Sequence, residues 1–460
     1  MIAKHVDINK ATEFGKFIKE KTSYEFVYKS LAGIFNGVDP WIGSFDFSYV
    51  LENIDDTERT IVSFFLLGNS SNAGKLEAAI GKNNLSFLLE SGYAIQRGVE
   101  IEPDNYVLLP IMGKLFVVNP PYRRMKSDKK IPILYVGSDS LKLISYVNKR
   151  HDLKVMDLCS GAGILGLSLI DFCSSVDFVE LREDVINALY FNLYINDVEM
   201  DKVNVIQSDL FDNIKDNRYD YILNNPPFVP VPDGEFLPDC GAGGEDGLLL
   251  VRRILEKADQ YLNPNGRLYM VLESIGNFEK PVVIEEFERY FRQGIVNVAL
   301  LNRQIIEAQA MVSARASSQM NNNPQREREL YEKWMNMFHV QNVSYVYPTM
   351  IEYVKTGTPL RVNIVNNYEK ENRDLCFSLA ENVKIEPFDK RMFRLKNGSD
   401  RSVVIDEEVR ELIGNGEPKA FEDLIRNDYM NYFNKLKLLQ YLQQHDVIPV
   451  SYTHLTLPTK

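Results

Sequence analysis

The chain has 460 residues, 45% of them apolar, and its 52 Lys and Arg against 64 Asp and Glu give a formal charge of −12. This composition excludes a wholly disordered chain. The negative charge disfavours sequence-independent binding of nucleic acid, because such binding depends on clustered Lys and Arg side chains. About three structural units are expected at roughly 150 residues per domain.

The sequence carries no sign of membrane insertion or export. Its apolar stretches are far shorter than the ~20 residues that cross a bilayer, and the N-terminus lacks the apolar segment of a secretory signal. The four cysteines form no CxxC pair, and the five histidines show no ligand spacing. We therefore expect a cytoplasmic protein with free thiols, no membrane segment and no metal site.

Residues 1–130 have the pattern of a mostly helical domain that ends in strands. Apolar spacing predicts a helix at 11–29, short helices at 57–67, 75–80 and 84–91, the last with Asn84 as N-cap, and strands at 93–95, 106–110 and 115–118. Three short helices followed by a hairpin resemble a winged helix. Only Glu90 is charged in the third helix, so a packing or substrate-covering role is favoured over DNA reading, which needs a basic helix.

A basic cluster follows this domain and consists of Arg123, Arg124, Lys126, Lys129 and Lys130. We interpret the cluster as a solvated linker, with a contact to RNA phosphates as the alternative.

Residues 131–356 alternate between strands and helices. We predict strands at 155–158, 176–181, 203–207, 219–223, 267–272, 296–301 and 343–354, and helices at 163–172, 184–196 and 248–262. A polar stretch at 314–323 ends at Asn323-Pro324, an N-cap followed by proline, which predicts a further helix to about residue 339. This order predicts a doubly wound, mostly parallel α/β sheet. Residues 357–449 are expected to form a small α+β extension, and residues 450–460 look like non-native sequence.

A glycine-rich turn follows the first strand of this region, in the segment Asp157-Leu-Cys-Ser-Gly161-Ala-Gly163-Ile-Leu-Gly166. Such a turn lets backbone approach a ligand beside a helix N-terminus. Its glycines also match the dinucleotide fingerprint, with Glu180 lying 19 residues after Gly161. The position of Asp157, inside the strand and three residues before Gly161, differs from that fingerprint.

A second motif, Asn225-Pro226-Pro227-Phe228, follows the strand predicted at 219–223. An Asn side-chain carbonyl and the Pro226 carbonyl can both accept hydrogen bonds from a substrate NH₂, while Phe228 stacks on the planar face. The prolines fix the direction of the carbonyls. This arrangement favours chemistry on a planar nitrogen.

Together the two motifs resemble class I S-adenosylmethionine-dependent methyltransferases of the small-domain group, which act on glutamine amides and exocyclic amines of bases. The resemblance implies a seven-stranded Rossmann-like domain and S-adenosylmethionine as cofactor. It implies catalytic roles for Asn225, Pro226, Pro227 and Phe228, and cofactor binding by Asp157, Cys159, Gly161, Ala162, Gly163, Glu180, Leu181, Asp209, Leu210 and Asn225. Glu180 would hold the ribose hydroxyls, and Asp209 the adenine amino group unless it only caps a turn.

Two further segments resemble parts of these enzymes. Residues 135–140 are similar to the segment that packs over the cofactor. Residues 243–248 are similar to the segment that follows the tetrad, although Asp246 is also explained by its position just before the helix predicted at 248. A second tetrad, Asn119-Pro-Pro-Tyr122, precedes the glycine turn. We reject it as catalytic because only Asn225 follows a strand at the expected distance from Asp157.

Three hypotheses remain at this stage. The first is an N-methyltransferase whose substrate is a protein, an RNA or a small molecule, with duplex DNA less favoured. The second is a non-catalytic, DNA-binding sensor of the cofactor, and the third is an NAD-dependent oxidoreductase. The patterns carry no signal for the oligomeric state.

Overall fold

The computed structural model describes most of the first 365 residues and short segments beyond them. The described residues are 1–25, 27–28, 51–52, 54–120, 134–215, 217–235, 241–300, 305–319, 323–365, 376–377, 379–380, 383–389, 392–396, 402–413, 419–420 and 442. The chain divides into two compact units, the first formed by 1–274, 283–298 and 349–363, and the second by 275–282, 299–348 and 364–460. The basic cluster and residues 450–460 lie outside the described residues.

The N-terminal module of the first unit contains four described helices and two small sheets. The helices are α1 (Ile8–Lys21), α2 (Asp56–Phe65), α3 (Ala73–Ile80) and α4 (Lys82–Glu90). The strands β1 (Ser71–Asn72), β2 (Ala94–Arg97) and β3 (Glu100–Pro103) form one sheet in the order β1-β3-β2, and β4 (Val107–Ile111) and β5 (Lys114–Val118) form a hairpin.

Helix starts in this module follow from side-chain caps. Asp55 accepts the N–H groups of the first turn of α2, and Asn72 does the same for α3. The expectation that Asn84 caps the third helix is wrong, because α4 begins two residues earlier and has Gly81 as its N-cap residue. The Asn84 side chain instead donates to the carbonyl of Ile80 at 2.7 Å.

Among the described residues, the central sheet has nine strands rather than the seven expected. They are β6 (Leu153–Leu158), β7 (Cys173–Glu180), β8 (Val203–Gln207), β9 (Tyr219–Asn224), β10 (Leu262–Gly276), β11 (Gln293–Leu300), β12 (Ile306–Glu307), β13 (Tyr345–Pro359) and β14 (Arg361–Val365). The order is β14-β11-β13-β10-β9-β6-β7-β8, with β12 paired to β13. Strand β12 is too short to leave a pattern, and β14 falls in the segment that we assigned to the extension.

The five neighbouring strands β8, β7, β6, β9 and β10 run parallel to one another, as the alternating pattern predicts. The described helices associated with this half of the chain are α5 (Ser138–Tyr146), α6 (Ile164–Leu169), α7 (Glu183–Ile195), α8 (Leu249–Ala258) and α9 (Val283–Tyr290). The doubly wound, Rossmann-like α/β fold is therefore confirmed. Its carboxyl strand ends meet at one edge, where open α/β sheets bind ligands.

Helix α1 packs directly on α7, so the N-terminal module and the sheet domain share one core. A Cβ atom on Gly15 would lie 1.8 Å from the carbonyl oxygen of Ile195, which shows how closely the two backbones approach. Phe87 of α4 stacks on Phe191 of α7 with ring centroids 5.5 Å apart. Both rings belong to the shared hydrophobic core.

The second unit contains α10 (Ala308–Gln319), α11 (Pro324–Val340), α12 (Glu407–Ile413), the antiparallel sheet β16 (Lys384–Asp389), β17 (Met392–Lys396) and β18 (Ser402–Asp406), and the short pair β15 (Cys376–Phe377) and β19 (Lys419–Ala420). The Asn323 cap is confirmed, since its side chain accepts from the Arg326 N–H. Residues 314–319 of the predicted polar stretch are helical, because α10 extends to Gln319. Among the described residues, no helix combines the length and apolarity needed to span a membrane.

Candidate functional site

The glycine turn links β6 to α6 through residues with positive φ. Cys159, Gly161 and Gly163 have φ values of 61°, 53° and 80°. A Cβ atom on Gly163 would meet the Leu189 side chain at 2.5 Å, so this glycine is needed for packing. A Cβ atom on Gly161 would meet nothing within 4 Å, so the turn has open space at that position.

Asp157 supports the turn from beneath. Its side chain is 1% exposed, and Oδ2 accepts the Gly166 N–H at 2.8 Å. Its Oδ1 atom is buried without a hydrogen-bond partner among the described residues. Burial raises the pKa of this carboxyl group to about 8.

Glu180 stands at the end of β7 and faces the turn. Its Oε2 atom accepts the Gly161 N–H at 3.0 Å, and Oε1 accepts the N–H groups of Leu181 and Arg182 at 2.9 and 3.1 Å. A carboxylate has about four acceptor positions, so acceptor capacity remains. The adjacent Leu181 side chain is 58% exposed.

Asp209 follows β8 and forms an ion pair that the sequence did not suggest. Its Oδ2 atom lies 3.0 Å from Nη2 of Arg253 on α8, and both side chains are nearly half exposed. Leu210, the next residue, is buried and has a φ of 51°. The turn is capped by Ser208, whose hydroxyl accepts the Asn213 N–H, so the Asp209 side chain is not needed as a cap.

Asn225 follows β9, and its amide has one defined orientation. Its Nδ2 group donates to Oδ2 of Asp139 at 3.0 Å and to Oγ of Ser140 at 2.9 Å. A carboxylate contains only acceptors, so the atom facing Asp139 must be the NH₂ nitrogen. The carbonyl Oδ1 therefore points away from α5, and no described residue donates to it. The resemblance placed residues 135–140 near the cofactor but gave no sign of this contact.

The rest of the tetrad lies against the glycine-containing segment after it. Pro226 is buried, whereas Pro227 and Phe228 are partly exposed. A Cβ atom on Gly247 would lie 2.3 Å from the carbonyl oxygen of Phe228, so this segment packs tightly on the tetrad backbone. Asp246 accepts the Leu248 N–H at 3.0 Å and pairs with Arg252, which is the structural role considered for it.

The second tetrad differs from the first in the hydrogen bonds of its asparagine. The Asn119 side chain accepts the Leu134 N–H at 3.0 Å and donates to the carbonyl of Asn105 at 2.9 Å. Its amide oxygen is therefore already occupied within the protein, unlike that of Asn225. Among the residues described, no three His, Cys, Asp or Glu side chains gather as a metal site would require.

Comparison with known proteins gives a family and several relatives. The family model described as methyltransferase small domain matches residues 136–293. A ribosomal protein uL3 glutamine methyltransferase from Francisella tularensis is 30% identical over 143 residues, which cover 29% of this chain and 44% of the relative. A uL3 glutamine methyltransferase from Bradyrhizobium diazoefficiens is 37% identical over 25% of this chain and 39% of the relative.

A third relative is a release factor glutamine methyltransferase from Lactococcus lactis, 25% identical over 38% of this chain and 67% of the relative. The chain thus spans about two fifths of the length of the two uL3 enzymes that it matches. The matched segments agree with the resemblance drawn from the glycine turn and the tetrad. Residues 136–293 therefore carry the sequence pattern of the methyltransferase small domain.

Proposed function

We propose that the protein is an S-adenosylmethionine-dependent N-methyltransferase whose substrate nitrogen is a side-chain amide of glutamine in a protein. The observation that carries the proposal is the fixed amide of Asn225, whose Nδ2 is held by Asp139 and Ser140 while Oδ1 is left to accept. The names of the relatives, all glutamine methyltransferases, support the amide over other planar nitrogens.

The residues around the glycine turn fit the cofactor. Gly161 borders open space, Glu180 keeps acceptor capacity for a ribose diol, and the exposed Leu181 offers an apolar surface to a purine. Asp209 is assigned to the adenine amino group through Oδ1, because only Oδ2 pairs with Arg253. Cys159, Ala162, Gly163 and Leu210 complete the site through backbone and packing. Asp157 acts from beneath the turn.

Bound S-adenosylmethionine supplies a methyl group activated on a sulfonium centre. The protein holds the acceptor nitrogen, because Oδ1 of Asn225 and the carbonyl of Pro226 accept hydrogen bonds from the substrate NH₂. Both N–H groups are then directed at the protein, so the nitrogen lone pair is aimed at the methyl group. Phe228 stacks on the planar amide, and the adjacent prolines limit movement of the carbonyls.

The N-terminal module is proposed to be a winged helix that covers or presents the substrate. The order of α2, β1, α3, α4, β2 and β3 supports this assignment. Helix α4 buries Leu85, Phe87 and Leu88, so its apolar face serves packing. The names of the relatives lead us to favour protein over RNA and small molecules as substrate, an order that the sequence alone left open. Duplex DNA stays last, and a cytoplasmic location remains part of the proposal.

Calorimetry of the purified protein tests the cofactor assignment. We expect saturable binding of S-adenosylmethionine or S-adenosylhomocysteine and none of NAD. The Glu180→Ala variant should bind at least about 10-fold more weakly, because a hydrogen bond to a charged group is worth roughly 1.5–3 kcal/mol. The control Glu183→Ala, which removes an exposed partner of Lys4, should bind normally. Saturable NAD binding without a response to either sulfur ligand contradicts the proposal.

Methyl-labelled cofactor and a fractionated cell lysate test the substrate class. The account predicts label in protein, recovered after hydrolysis as a methylated glutamine derivative. Label confined to RNA would move the acceptor to a base amine, whereas label in genomic DNA would contradict the ranking. Label on carbon or oxygen would contradict the nitrogen chemistry itself.

A further inference from the structure

Asn192 on α7 connects the N-terminal hairpin to the glycine turn. Its side chain is fully buried, and Oδ1 accepts the Val117 N–H of β5 at 2.7 Å. Its Nδ2 group donates to the carbonyl of Val117 at 3.3 Å and to the carbonyl of Ala162 at 3.0 Å. One amide therefore bonds to both the N-terminal module and the turn.

The geometry of the helix and the strand explains why this contact forms. Asn196, the C-cap residue of α7 and four residues after Asn192, makes the same pair of bonds to Leu115, accepting its N–H at 2.8 Å and donating to its carbonyl at 2.7 Å. Four helical residues rise ~6 Å, close to the ~6.8 Å between alternate residues of a strand. Two asparagines one turn apart thus cover the free edge of β5.

Only Asn192 extends the contact to the turn. Ala162 is 4% exposed and precedes Gly163, the N-cap residue of α6, so its carbonyl lies outside the hydrogen bonds of that helix. A buried carbonyl without a partner is costly. Both donors of the Asn192 amide and its acceptor are in use, so three hydrogen bonds of one side chain link β5 to the turn.

We propose that Asn192 is a positioning residue through which the N-terminal module sets the affinity of the glycine turn for the cofactor. The inference rests on the proposed function, since it assumes that S-adenosylmethionine binds at this turn. It assigns the hairpin β4–β5 a part in forming the cofactor site, beyond any role with substrate.

Asn192→Ala and Asn196→Ala form a matched pair for testing this role. Both variants lose two hydrogen bonds to β5, and Asn196→Ala also loses the bonds to Lys19 and to the Asn192 carbonyl. Of the two, only Asn192→Ala loses the bond to the turn. We expect the dissociation constant of S-adenosylmethionine to rise about 10-fold in Asn192→Ala and to stay within about twofold in Asn196→Ala, with similar losses of unfolding free energy. Turnover at saturating cofactor should change by less than about threefold in both variants.

Equal cofactor affinities in the two variants, whether both normal or both weakened, would overturn the inference. Absence of binding by the wild-type protein would instead overturn the proposed function, and the inference with it. Should Asn192→Ala not fold, the near-isosteric Asn192→Leu replaces it. Hydrogen exchange of the wild-type protein gives a second measurement, in which S-adenosylmethionine should slow exchange at Val117. Unchanged exchange there would also overturn the inference.

Discussion

Asn225 depends on its neighbours on α5 for the direction of its amide. Without Asp139, the amide could rotate and present NH₂ to the substrate, which would repel a donor. We therefore expect Asp139→Ala to lower turnover about 10- to 100-fold, the scale known for hydrogen-bond partners that orient metal-binding side chains. Cofactor affinity should change little.

Ser138→Ala is the control for this change, since Ser138 lies in the same helical turn and contacts Lys142 rather than Asn225. Steady-state kinetics with a protein acceptor would make the measurement. Normal turnover in Asp139→Ala would show that the amide is oriented by other means.

Asp157 makes stability depend on pH. Its pKa rises from 3.8 to about 8 on folding because burial disfavours the charged form. The folded protein thus holds this proton more tightly, and the associated stability is complete below about pH 4 and declines as the pH rises toward 8. Asp157→Asn keeps an oxygen for the Gly166 N–H and removes the titration.

Urea unfolding of both proteins without cofactor between pH 5 and 9 measures this effect. The free energy of unfolding of the wild type, relative to that of Asp157→Asn, should fall up to about pH 8 and then level off. Parallel profiles would show that the carboxyl group titrates as it does in the unfolded chain.

At the scale of elements, the packing of α1 on α7 leaves no room for a side chain at Gly15. A Cβ atom there would clash with the backbone of Ile195, so the helices would have to separate. We expect Gly15→Ala to lower the free energy of unfolding by about 3 kcal/mol. Gly74→Ala is the control, because its Cβ atom would meet only Asn72 at 3.4 Å. That variant should be neutral or up to about 1 kcal/mol more stable in chemical denaturation.

Equal stabilities of the two glycine variants would contradict the close approach of α1 and α7. Neither helix signals this contact in its own sequence, because a helical glycine can serve packing, bending or nothing.

Elements with strong local signals were predictable. Asn323-Pro324 marked the start of α11, and the βα alternation gave the parallel strands. Predictions failed where the local sequence was compatible with more than one kind of structure. Asn84 is an N-cap type of residue that lies inside α4, and residues 314–319, which mix serine with the helix formers alanine, arginine and glutamine, were compatible with both loop and helix.

For the whole molecule, the glycine turn and the tetrad can be recognised in the sequence because each is a short, continuous motif, and their roles stay predictions. The contacts that orient them cannot be recognised in this way, because they join residues far apart in the chain. Asp139 and Asn225 are separated by 86 residues, and Val117 and Asn192 by 75. Such pairs are set by the topology of the fold rather than by any local pattern.

Transfer of label from methyl-labelled S-adenosylmethionine to the protein fraction, compared between the wild type and Asn225→Ala, tests the central claim most directly. The account predicts a protein label from the wild type and a rate about 10²- to 10³-fold lower from the variant, with the dissociation constant of the cofactor unchanged. Equal labelling by the two proteins would contradict the account, as would a variant whose cofactor affinity falls in step with its rate.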